Sequence, residues 1–275
     1  KFMELLVLPN IEDSYKKERA IDELPQSASG KTIMTTEPKF IPNEAVEISL
    51  EQNIKMKARL VDCVGYLVSP ALGYLEEDMP RMVKTPWYNE EIPFVEAAEV
   101  GTEKVIKEHS TIGIVVTTDG SIGEFNRNDY LEAESRVISE LKSIGKPFIV
   151  LLNSTHPTLP ETERLADSLR EEHNVPVMPI SIEAMTEKDM YNILKEALYE
   201  FPVLEVKVNM PEWIAILNYD HPVKKEYIRC IRESVVEIDK LRDIENITGQ
   251  FMDSEMIEKS YLSSVDPATG IVTVD

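Results

Sequence analysis

The chain has 275 residues, a length that predicts one large domain or two ordinary ones. Its apolar fraction of 43% is enough for a sizeable core, which excludes a largely disordered chain. With 29 Lys and Arg against 50 Asp and Glu, the net charge is −21. So acidic a chain would be repelled by nucleic-acid phosphates and by an anionic bilayer, so we expect no nucleic-acid partner. A nucleotide site remains compatible, because it depends on local backbone N–H groups, one lysine and a divalent cation.

Cysteine and histidine usage excludes two further classes of protein. Cys63 and Cys230 are the only two cysteines, too few for a disulfide framework, which fits a reducing compartment. The four histidines are scattered without the spacing of metal ligands. The sequence begins at Lys1, and its opening letters KFMELLVL are typical of a helix already in progress. We therefore expect that the start of the natural protein lies upstream.

The first ninety residues predict a helix, a loop, a hairpin and a long irregular segment. Residues 11–24 are polar and helical, and residues 25–38 form a small-residue loop bounded by prolines. Residues 40–50 and 54–60 alternate apolar and polar positions on either side of a short turn, which predicts a β-hairpin. Residues 66–93 are rich in proline, glycine and acids, and their length indicates a functional loop or lid.

The middle of the chain alternates helices with short apolar strands. The predicted helices cover residues 96–109, 128–144, 161–172 and 188–199, and the predicted strands cover 112–117, 148–152 and 175–182. This alternation indicates βαβ units, and hence an α/β fold with a mostly parallel sheet and helices on both faces. We expect the hairpin near residue 50 to contribute one antiparallel strand to that sheet.

The alternation ends at Pro202, so we place a domain boundary there. Residues 1–202 form the first domain and residues 203–275 the truncated beginning of a second, α+β domain. A strand at 204–208, a charged helix at 223–241 and an apolar tail at 271–274 are its predicted elements. We expect Lys224, Arg232 and Arg242 to belong to the solvated face of that helix.

Short polar groups follow each of the apolar strands, where ligands bind in open α/β sheets. They are 62–65, 118–120, 153–154 and 181–184. In the first group, Asp62 could hold Mg²⁺ through water, and Gly65 would let a backbone N–H approach a terminal phosphate. A simple strand-ending turn explains the same four residues, so both interpretations stay open.

The sequence contains a phosphate-loop look-alike at Gly30-Lys31-Thr32. The position that requires the first glycine of that motif is Pro25, and no buried strand precedes it, so we interpret it as a decoy. The small residues around it instead suggest a mobile switch loop. In that case Thr35 and Thr36 would lie near the metal and sense the γ-phosphate, with an ordinary turn as the alternative.

Two other kinds of active site fit less well. A phosphoacceptor site would use Asp62 with a lysine at the carboxyl edge of the sheet, but Lys146 precedes its strand. A serine hydrolase would need a GxSxG segment, and none is present. Cys63 adjoins Asp62, which disfavours its thiolate, so we interpret it as a packing residue.

Several of these segments together resemble the stage IV sporulation protein A family, the spore-coat basement ATPases of endospore-forming bacteria. The segments are DELPQSASGKTIMTTEPKF, RLVDCVGY, PRMVKTPWY, EHSTIGIVVTTDGSIG, GKPFIVLLNSTHP and KEALYEFPVLEV. The resemblance extends from Phe2 to about Arg242 and weakens after Gly249.

The resemblance implies a P-loop NTPase fold of the translation-factor GTPase class that hydrolyses ATP with Mg²⁺. It places the phosphate loop just before Lys1, so we expect this chain by itself to be inactive. Thr35, Thr36 and Asp62 would be catalytic, with Thr36 and Asp62 at the metal. Gly65, Asn153 and Ser181 would bind the nucleotide.

The family resemblance also implies a place of action and partners. The protein would polymerise with itself in the mother-cell cytoplasm, peripheral to the outer forespore membrane, as the platform for the spore coat. A small amphipathic membrane-anchoring peptide of the stage V sporulation protein M type and spore coat proteins would be its partners.

The choice of base is argued from the residues themselves. A GTPase of this class would have Asn-Lys-x-Asp where this chain has Asn153, Ser154, Thr155 and His156. Without an acid at 156, nothing accepts from guanine N1–H and its 2-amino group, which favours ATP. The leading hypothesis is an ATPase that drives self-assembly. A scaffold of the same fold without catalysis and an ordinary GTPase are the alternatives.

Overall fold

The computed structural model describes residues 1–11, 13–22, 39–50, 54–63, 65–68, 74–76, 79–236, 238–244, 254–267 and 269–275. They separate into two compact units, Lys1–Leu194 and Lys195–Asp275.

The first unit opens with short helices and a long hairpin. A π-helical turn (Met3–Val7) and a 3₁₀ turn (Leu8–Asn10) precede helix α1 (Ser14–Asp22). Strands β1 (Lys39–Leu50) and β2 (Ile54–Asp62) then pair in antiparallel fashion, as the period-two alternation predicts. The pairing places Lys39 opposite Asp62, so the end of β2 lies beside a cation.

The described part of the segment predicted to be a loop or lid contains four strands of two residues each. They pair as β3 with β4 and β5 with β6, and their bounds are Leu75–Glu76, Met79–Pro80, Met82–Val83 and Ile92–Pro93. Pro93 then starts helix α2 (Phe94–Lys104), which a π-helical turn (Val105–His109) extends. Buried Phe94, Ala97, Ala98 and Thr102 form the inner face of α2.

The remainder of the first unit is a parallel βαβ arrangement, as the alternation predicts. Its sheet has the order β7-β8-β9, and all pairs are parallel. The elements are β7 (Gly113–Thr118), α3 (Arg127–Ile144), β8 (Phe148–Asn153), α4 (Pro160–His173), β9 (Val177–Ile180) and α5 (Glu187–Tyr199).

The core of this sheet explains why these segments fold together. Residues 148–152 of the central strand β8 are all buried, which fits their uninterrupted apolar run. Helices α3 and α4 pack Ile138, Leu141, Ala166 and Leu169 against one face of the sheet. Ile149 and Leu151 alternate with the strand residues of that cluster and are 0% exposed, so the other face is covered too.

One expectation about the sheet is wrong for the described part of the chain. The hairpin β1–β2 forms a two-stranded sheet of its own, and no described ladder joins it to β7, β8 or β9. The physical reason is that alternation and a short turn determine only which two strands pair. Membership of a larger sheet depends on edge-to-edge hydrogen bonds that leave no local pattern.

The second unit is a small α+β arrangement. Its three-stranded sheet has the order β10-β12-β11, in which β10 runs parallel and β11 antiparallel to β12. Two helices lie between the strands in sequence, and α7 buries Cys230 in a core with Leu241, Ile244, Val272 and Val274. The bounds are β10 (Glu205–Val208), α6 (Glu212–Ile216), α7 (Pro222–Ser234), β11 (Leu262–Asp266) and β12 (Ile271–Val274).

Helix α7 ends at Ser234, seven residues before its predicted end, and tertiary contacts explain the difference. Lys240 leaves the helical path to form a β-bridge with Pro202, and Leu241 enters the core of this unit. Two cations expected on a solvated face also have specific partners. The Lys224 ammonium donates to the carbonyls of Ala215 and Leu217, and Arg242 pairs with Glu200.

Candidate functional site

The carboxyl ends of β7, β8 and β9 form one edge of the parallel sheet. Register pairs Thr118 with Asn153 and Asn153 with Ile180, so the polar groups after each strand start at the same level. We call residues 118–121, 153–156 and 181–182 the rim. Three of the four groups singled out in the sequence therefore adjoin one another, at the position where open α/β sheets bind ligands.

Asn153 ties the second and third parts of the rim together. Its Oδ1 accepts the Ile182 N–H at 3.0 Å, and the next amide, Ser154 N–H, donates to the Ile180 carbonyl at 2.9 Å. Because the Oδ1 faces a backbone donor, the side-chain orientation follows from the hydrogen bond. No described residue accepts a hydrogen bond from the NH₂ group of the half-buried Asn153, so this group could donate to a ligand. Ser181, also half-buried, accepts the Ala184 N–H through its hydroxyl at 3.4 Å.

Asp119 ties the first and second parts together. Its Oδ1 accepts the backbone N–H and the hydroxyl of Ser121, at 2.9 and 2.6 Å. Its carboxylate also accepts the Ser154 hydroxyl and, at 3.5 Å, the Thr162 hydroxyl. Desolvation alone would raise the pKa of Asp119, but these bonds outweigh it and lower that pKa below its ordinary value. The group is therefore ionised at neutral pH.

A buried ion pair fixes the end of β7. The Arg127 guanidinium binds both carboxylate oxygens of Glu134 at 2.6 Å, and the Glu134 side chain is only 3% exposed. The same guanidinium donates to the Thr117 hydroxyl at 3.0 Å and to the Thr118 carbonyl at 3.3 Å. Gly120 passes so close that a Cβ would lie 2.8 Å from the Arg127 nitrogen, at a φ of +89°. Glycine is required there for both reasons.

Asp62 stands at the end of β2, outside the rim. Desolvation raises the pKa of its carboxyl, and the Lys39 charge on the opposite strand partly offsets the rise. The Asp62 side chain is exposed, and no described residue hydrogen-bonds its carboxylate. Burial and the neighbouring Asp62 charge raise the pKa of the Cys63 thiol, which keeps it neutral. That result supports the interpretation of Cys63 as a packing residue.

The turn after Asp62 is fastened to two helices. The Gly65 N–H donates to the hydroxyl of Thr102, a buried residue of α2, at 3.1 Å. Gly65 has a φ of +79°, which favours glycine. The Arg136 guanidinium of α3 lies 4.4 Å from the Tyr66 ring centroid. A terminal-phosphate sensor at this turn would therefore act directly on α2.

The predicted site residues fall into three sets. Asp62 and Gly65 lie together at the end of β2 and in the turn that follows it, and Asn153 and Ser181 lie together on the rim. No hydrogen bond among the described residues joins these two pairs. Thr35 and Thr36, like Gly30, Lys31 and Thr32, lie outside the described residues.

Sequence reasoning missed the residues that shape the rim rather than face a ligand. It noted Asp119 within a polar group but gave it no role, and it did not single out Thr102, Arg127, Glu134 or Thr162. One local signal was present, since the small-residue segment TTDGS begins in the last two residues of β7 and continues beyond the strand. The ion pair left no signal, because Arg127 and Glu134 look like ordinary surface charges of a helix.

The described residues offer a modest but suitable set of groups for Mg²⁺. They contain no cluster of three or more His, Cys, Asp or Glu side chains that would bind a metal alone. Nucleotide-bound Mg²⁺ needs only one or two carboxylates, together with phosphates and water. The accessible Asp62 carboxylate fits that need. Within the described part of the chain, no helix is both long and apolar enough to span a bilayer.

Two family models match the chain over its whole length. The family model for the ATPase domain of stage IV sporulation protein A matches residues 1–202, and that for its middle domain matches residues 203–275. No solved structure shows a significant match.

Three curated relatives, each a stage IV sporulation protein A, align with all 275 residues. The proteins of Bacillus anthracis and Bacillus subtilis (strain 168) are 54% and 53% identical, and that of Clostridioides difficile (strain 630) is 46% identical. The chain spans 56% of the length of each relative. The resemblance noted in the sequence is confirmed, and the chain belongs to the stage IV sporulation protein A family, with the ATPase domain of that family in residues 1–202.

Proposed function

We propose that the complete protein hydrolyses ATP with Mg²⁺ and uses the reaction to drive its own polymerisation. The family's ATPase domain supports nucleotide binding. The preference for ATP over GTP rests on one observation, namely that the carboxylate of the rim already accepts hydrogen bonds from the protein. Asp119 is the acid of the rim, and its oxygens already accept hydrogen bonds from Ser121 and Ser154, with the Thr162 hydroxyl 3.5 Å away.

The occupied carboxylate argues against guanine. Guanine presents N1–H and a 2-amino group, and a base site that leaves such donors without acceptors rejects the base strongly. Position 156 supplies no substitute, because it is an exposed histidine. Adenine lacks both of those donors, and its N7 can accept from the free NH₂ of Asn153.

The phosphate end of the proposed site uses Asp62 and Gly65. We assign the Asp62 carboxylate to the metal through water and the Gly65 turn to the terminal phosphate. Thr35 and Thr36 complete the proposal as groups that sense the γ-phosphate and position the attacking water, with Thr36 also at the metal. Mg²⁺ bound at Asp62 would supply positive charge that offsets the negative charge of the phosphates. The residues of the chain bind the metal, orient the terminal phosphate and position the attacking water.

The setting of the reaction is also part of the proposal. We place the protein in the mother-cell cytoplasm at the outer forespore surface, where its polymer forms the basement layer for the coat. Its partners would be further copies of itself, a small amphipathic peptide that anchors it to the membrane and coat proteins. The overall fold would be that of P-loop NTPases of the translation-factor class.

The base assignment is tested by turnover of ATP and GTP in the complete protein. We expect kcat/KM for ATP to exceed that for GTP by about 10²-fold or more, the range of sites that leave a base donor unpaired. The double variant Ser154→Lys with His156→Asp should raise GTP use, and His221→Asp, at the helix N-cap of α7, is the control. Equal kcat/KM for the two nucleotides would refute the argument, and no turnover of either would favour the scaffold.

The coupling to assembly needs its own experiment. We expect Thr35→Ala combined with Thr36→Ala to keep ATP binding and lose most hydrolysis. If hydrolysis exposes an assembly surface, this variant should also fail to sediment as polymer after incubation with ATP. Full polymers without hydrolysis would separate assembly from the reaction and contradict the coupling.

A further inference from the structure

The hydrogen bonds around Asp119 form a network with a fixed direction. An ionised carboxylate only accepts hydrogen bonds, so each hydroxyl that contacts it must point its single proton toward it. The Ser121 hydroxyl does so at 2.6 Å, and so does the hydroxyl of Ser154, the residue that follows β8. Both hydroxyls are thereby left with only their lone pairs for other partners.

Those lone pairs meet two consecutive backbone amides of the loop after β8. Thr155 N–H donates to the Ser121 hydroxyl at 2.9 Å, and His156 N–H donates to the Ser154 hydroxyl at 3.0 Å. Ser121 and Ser154 thus link the Asp119 carboxylate to the amides of residues 155 and 156. Ser154 is only 1% exposed, so water cannot easily replace it in this network.

The loop is also closed from its far side. The carbonyl of His156 accepts the Thr162 hydroxyl at 3.2 Å and the Leu159 N–H at 3.1 Å. Since Thr162 has one proton, it can serve either this carbonyl or Asp119, and the carbonyl is the nearer acceptor. Asn153, at the start of the loop, is bonded to Ile182. Removing Asp119 would therefore release the middle of a loop whose two ends stay fixed.

We propose that Asp119 is the positioning residue of the base site: through Ser121 and Ser154 it holds the loop 153–156 in the conformation that receives adenine. This inference rests on the proposed ATPase function. It assigns Asp119 no contact with substrate, because all of its observed partners are hydroxyls and an amide of the protein.

The first arm of the test measures the loop directly and needs no nucleotide. In the complete protein, amide hydrogen exchange at Thr155 and His156 should be slow although both side chains are exposed. We expect Asp119→Asn to accelerate exchange at both amides by about tenfold or more, the loss that follows removal of a charged acceptor. Asp129→Asn is the matched control, because this carboxylate in the first turn of α3 accepts the Asn126 N–H and does not touch the loop.

The two serine arms can be separated. Ser121→Ala should accelerate exchange at Thr155 and spare His156, whereas Ser121→Thr keeps the hydroxyl at an exposed position and should restore protection. Ser154→Ala should have the reverse effect and accelerate exchange at His156. This pattern depends on the direction of each hydroxyl, so general loosening of the domain would not reproduce it.

The second arm asks whether the loop receives the base. A group that binds the base contributes equally to ground and transition states, so its loss raises KM and spares kcat. We expect Asp119→Asn to raise KM for ATP about tenfold, as expected for one lost polar contact, with kcat within about threefold. A merely structural role would lower the active fraction, and hence kcat, at constant KM.

The outcomes separate this inference from the proposed function. Unchanged exchange at Thr155 and His156 in Asp119→Asn overturns it, as does faster exchange with an unchanged KM for ATP. A parent protein that neither binds nor hydrolyses ATP refutes the proposed function instead. In that case the exchange arm alone decides whether Asp119 holds the loop.

Discussion

Asp62 illustrates how one neighbouring side chain tunes a candidate metal ligand. Desolvation raises the pKa of its carboxyl, and the Lys39 charge lowers it again. A raised pKa means that the folded state binds the proton more tightly than the unfolded state does. Ionisation of Asp62 therefore lowers the free energy of unfolding as the pH rises through the pKa of Asp62 in the folded state. Such unfavourable pKa shifts are common among residues of functional sites.

The first prediction concerns the pH dependence of hydrolysis. If ionised Asp62 holds the metal, activity should fall as the pH drops through the pKa of Asp62, which is raised above its ordinary value by desolvation. Lys39→Ala removes the charge that lowers this pKa, so the acid limb of kcat/KM should move to higher pH. The pH–rate profile of the complete protein measures it.

The control for this prediction is Lys57→Ala, a lysine of the same hairpin that pairs with Glu47 instead. It should leave the acid limb in place. Asp62→Ala should reduce hydrolysis at all pH values by about 10²-fold or more, because charge organisation at the phosphates is lost. If the acid limb of kcat/KM does not move in Lys39→Ala, Asp62 is not the titrating group.

At the scale of elements, helix α5 runs from the first unit into the second and ends in a cluster of charges. Glu200, which follows the helix and is 6% exposed, accepts from the Lys240 ammonium at 2.6 Å and from Arg242. Arg242 also lies 3.5 Å from Glu196, which is more exposed. These contacts hold the end of α5 to the segment that follows α7.

We predict that Glu200→Gln destabilises the second unit. The amide keeps one acceptor oxygen but presents its NH₂ group to two cations. This change should lower the free energy of unfolding by about 2 kcal/mol. The loss is smaller than the roughly 3–5 kcal/mol of a fully buried pair, because the two cations are partly exposed. Urea denaturation followed by Trp213 fluorescence, in a Trp87→Phe background, reports on this unit alone.

Glu196→Gln is the matched control for this prediction. Its carboxylate is on the same helix and touches the same arginine, but a partly exposed pair should contribute less than about 1 kcal/mol. Equal losses in the two variants would show that burial of Glu200 adds nothing.

How far the sequence predicts the elements depends on whether their determinants are local. The strands and helices between residues 94 and 199 follow from apolar runs and helical spacing, and the predicted bounds differ from the observed ones by a few residues. The end of α7 cannot be predicted from the sequence, because it depends on the ion pairs that Glu200 forms with Lys240 and Arg242. Strand β11 was missed because all five of its residues are exposed, so it carries no burial pattern.

The candidate site shows the same division. The polar groups after β7, β8 and β9 could be placed on one edge because parallel strands share a direction. The hydroxyl network of Asp119 could not, since it joins residues from two loops and α4 through hydrogen bonds that leave no spacing in the sequence. The assignments of Thr35, Thr36 and Asp62 stay predictions.

For the whole molecule, the net charge of −21 is the dominant electrostatic fact. Like charges repel in the compact state, and dissolved salt screens them over about 30 Å at 10 mM but only about 8 Å at 150 mM. We predict that this change of ionic strength raises Tm by about 2–4 °C, which is what ~1 kcal/mol gives in a chain of this size. Thermal unfolding in NaCl and in KCl checks it, and a fall in Tm would show that surface ion pairs outweigh the repulsion.

The parallel pairing of β10 with β12 sets an order of events during synthesis. Glu205 pairs with Ile271 and Val208 with Val274, while the antiparallel partner β11 also joins the sheet through β12. As the chain leaves the ribosome, the parallel sheet of the first unit has all three of its strands by Ile180 and can form early. The second unit must hold β10, α6 and α7 without a sheet until residue 274 emerges, because long-range pairing waits for its last strand. Until β12 has been synthesised, the edge of β10 is exposed to other nascent chains. Chaperones that recognise unpaired strands would therefore bind the second unit rather than the first.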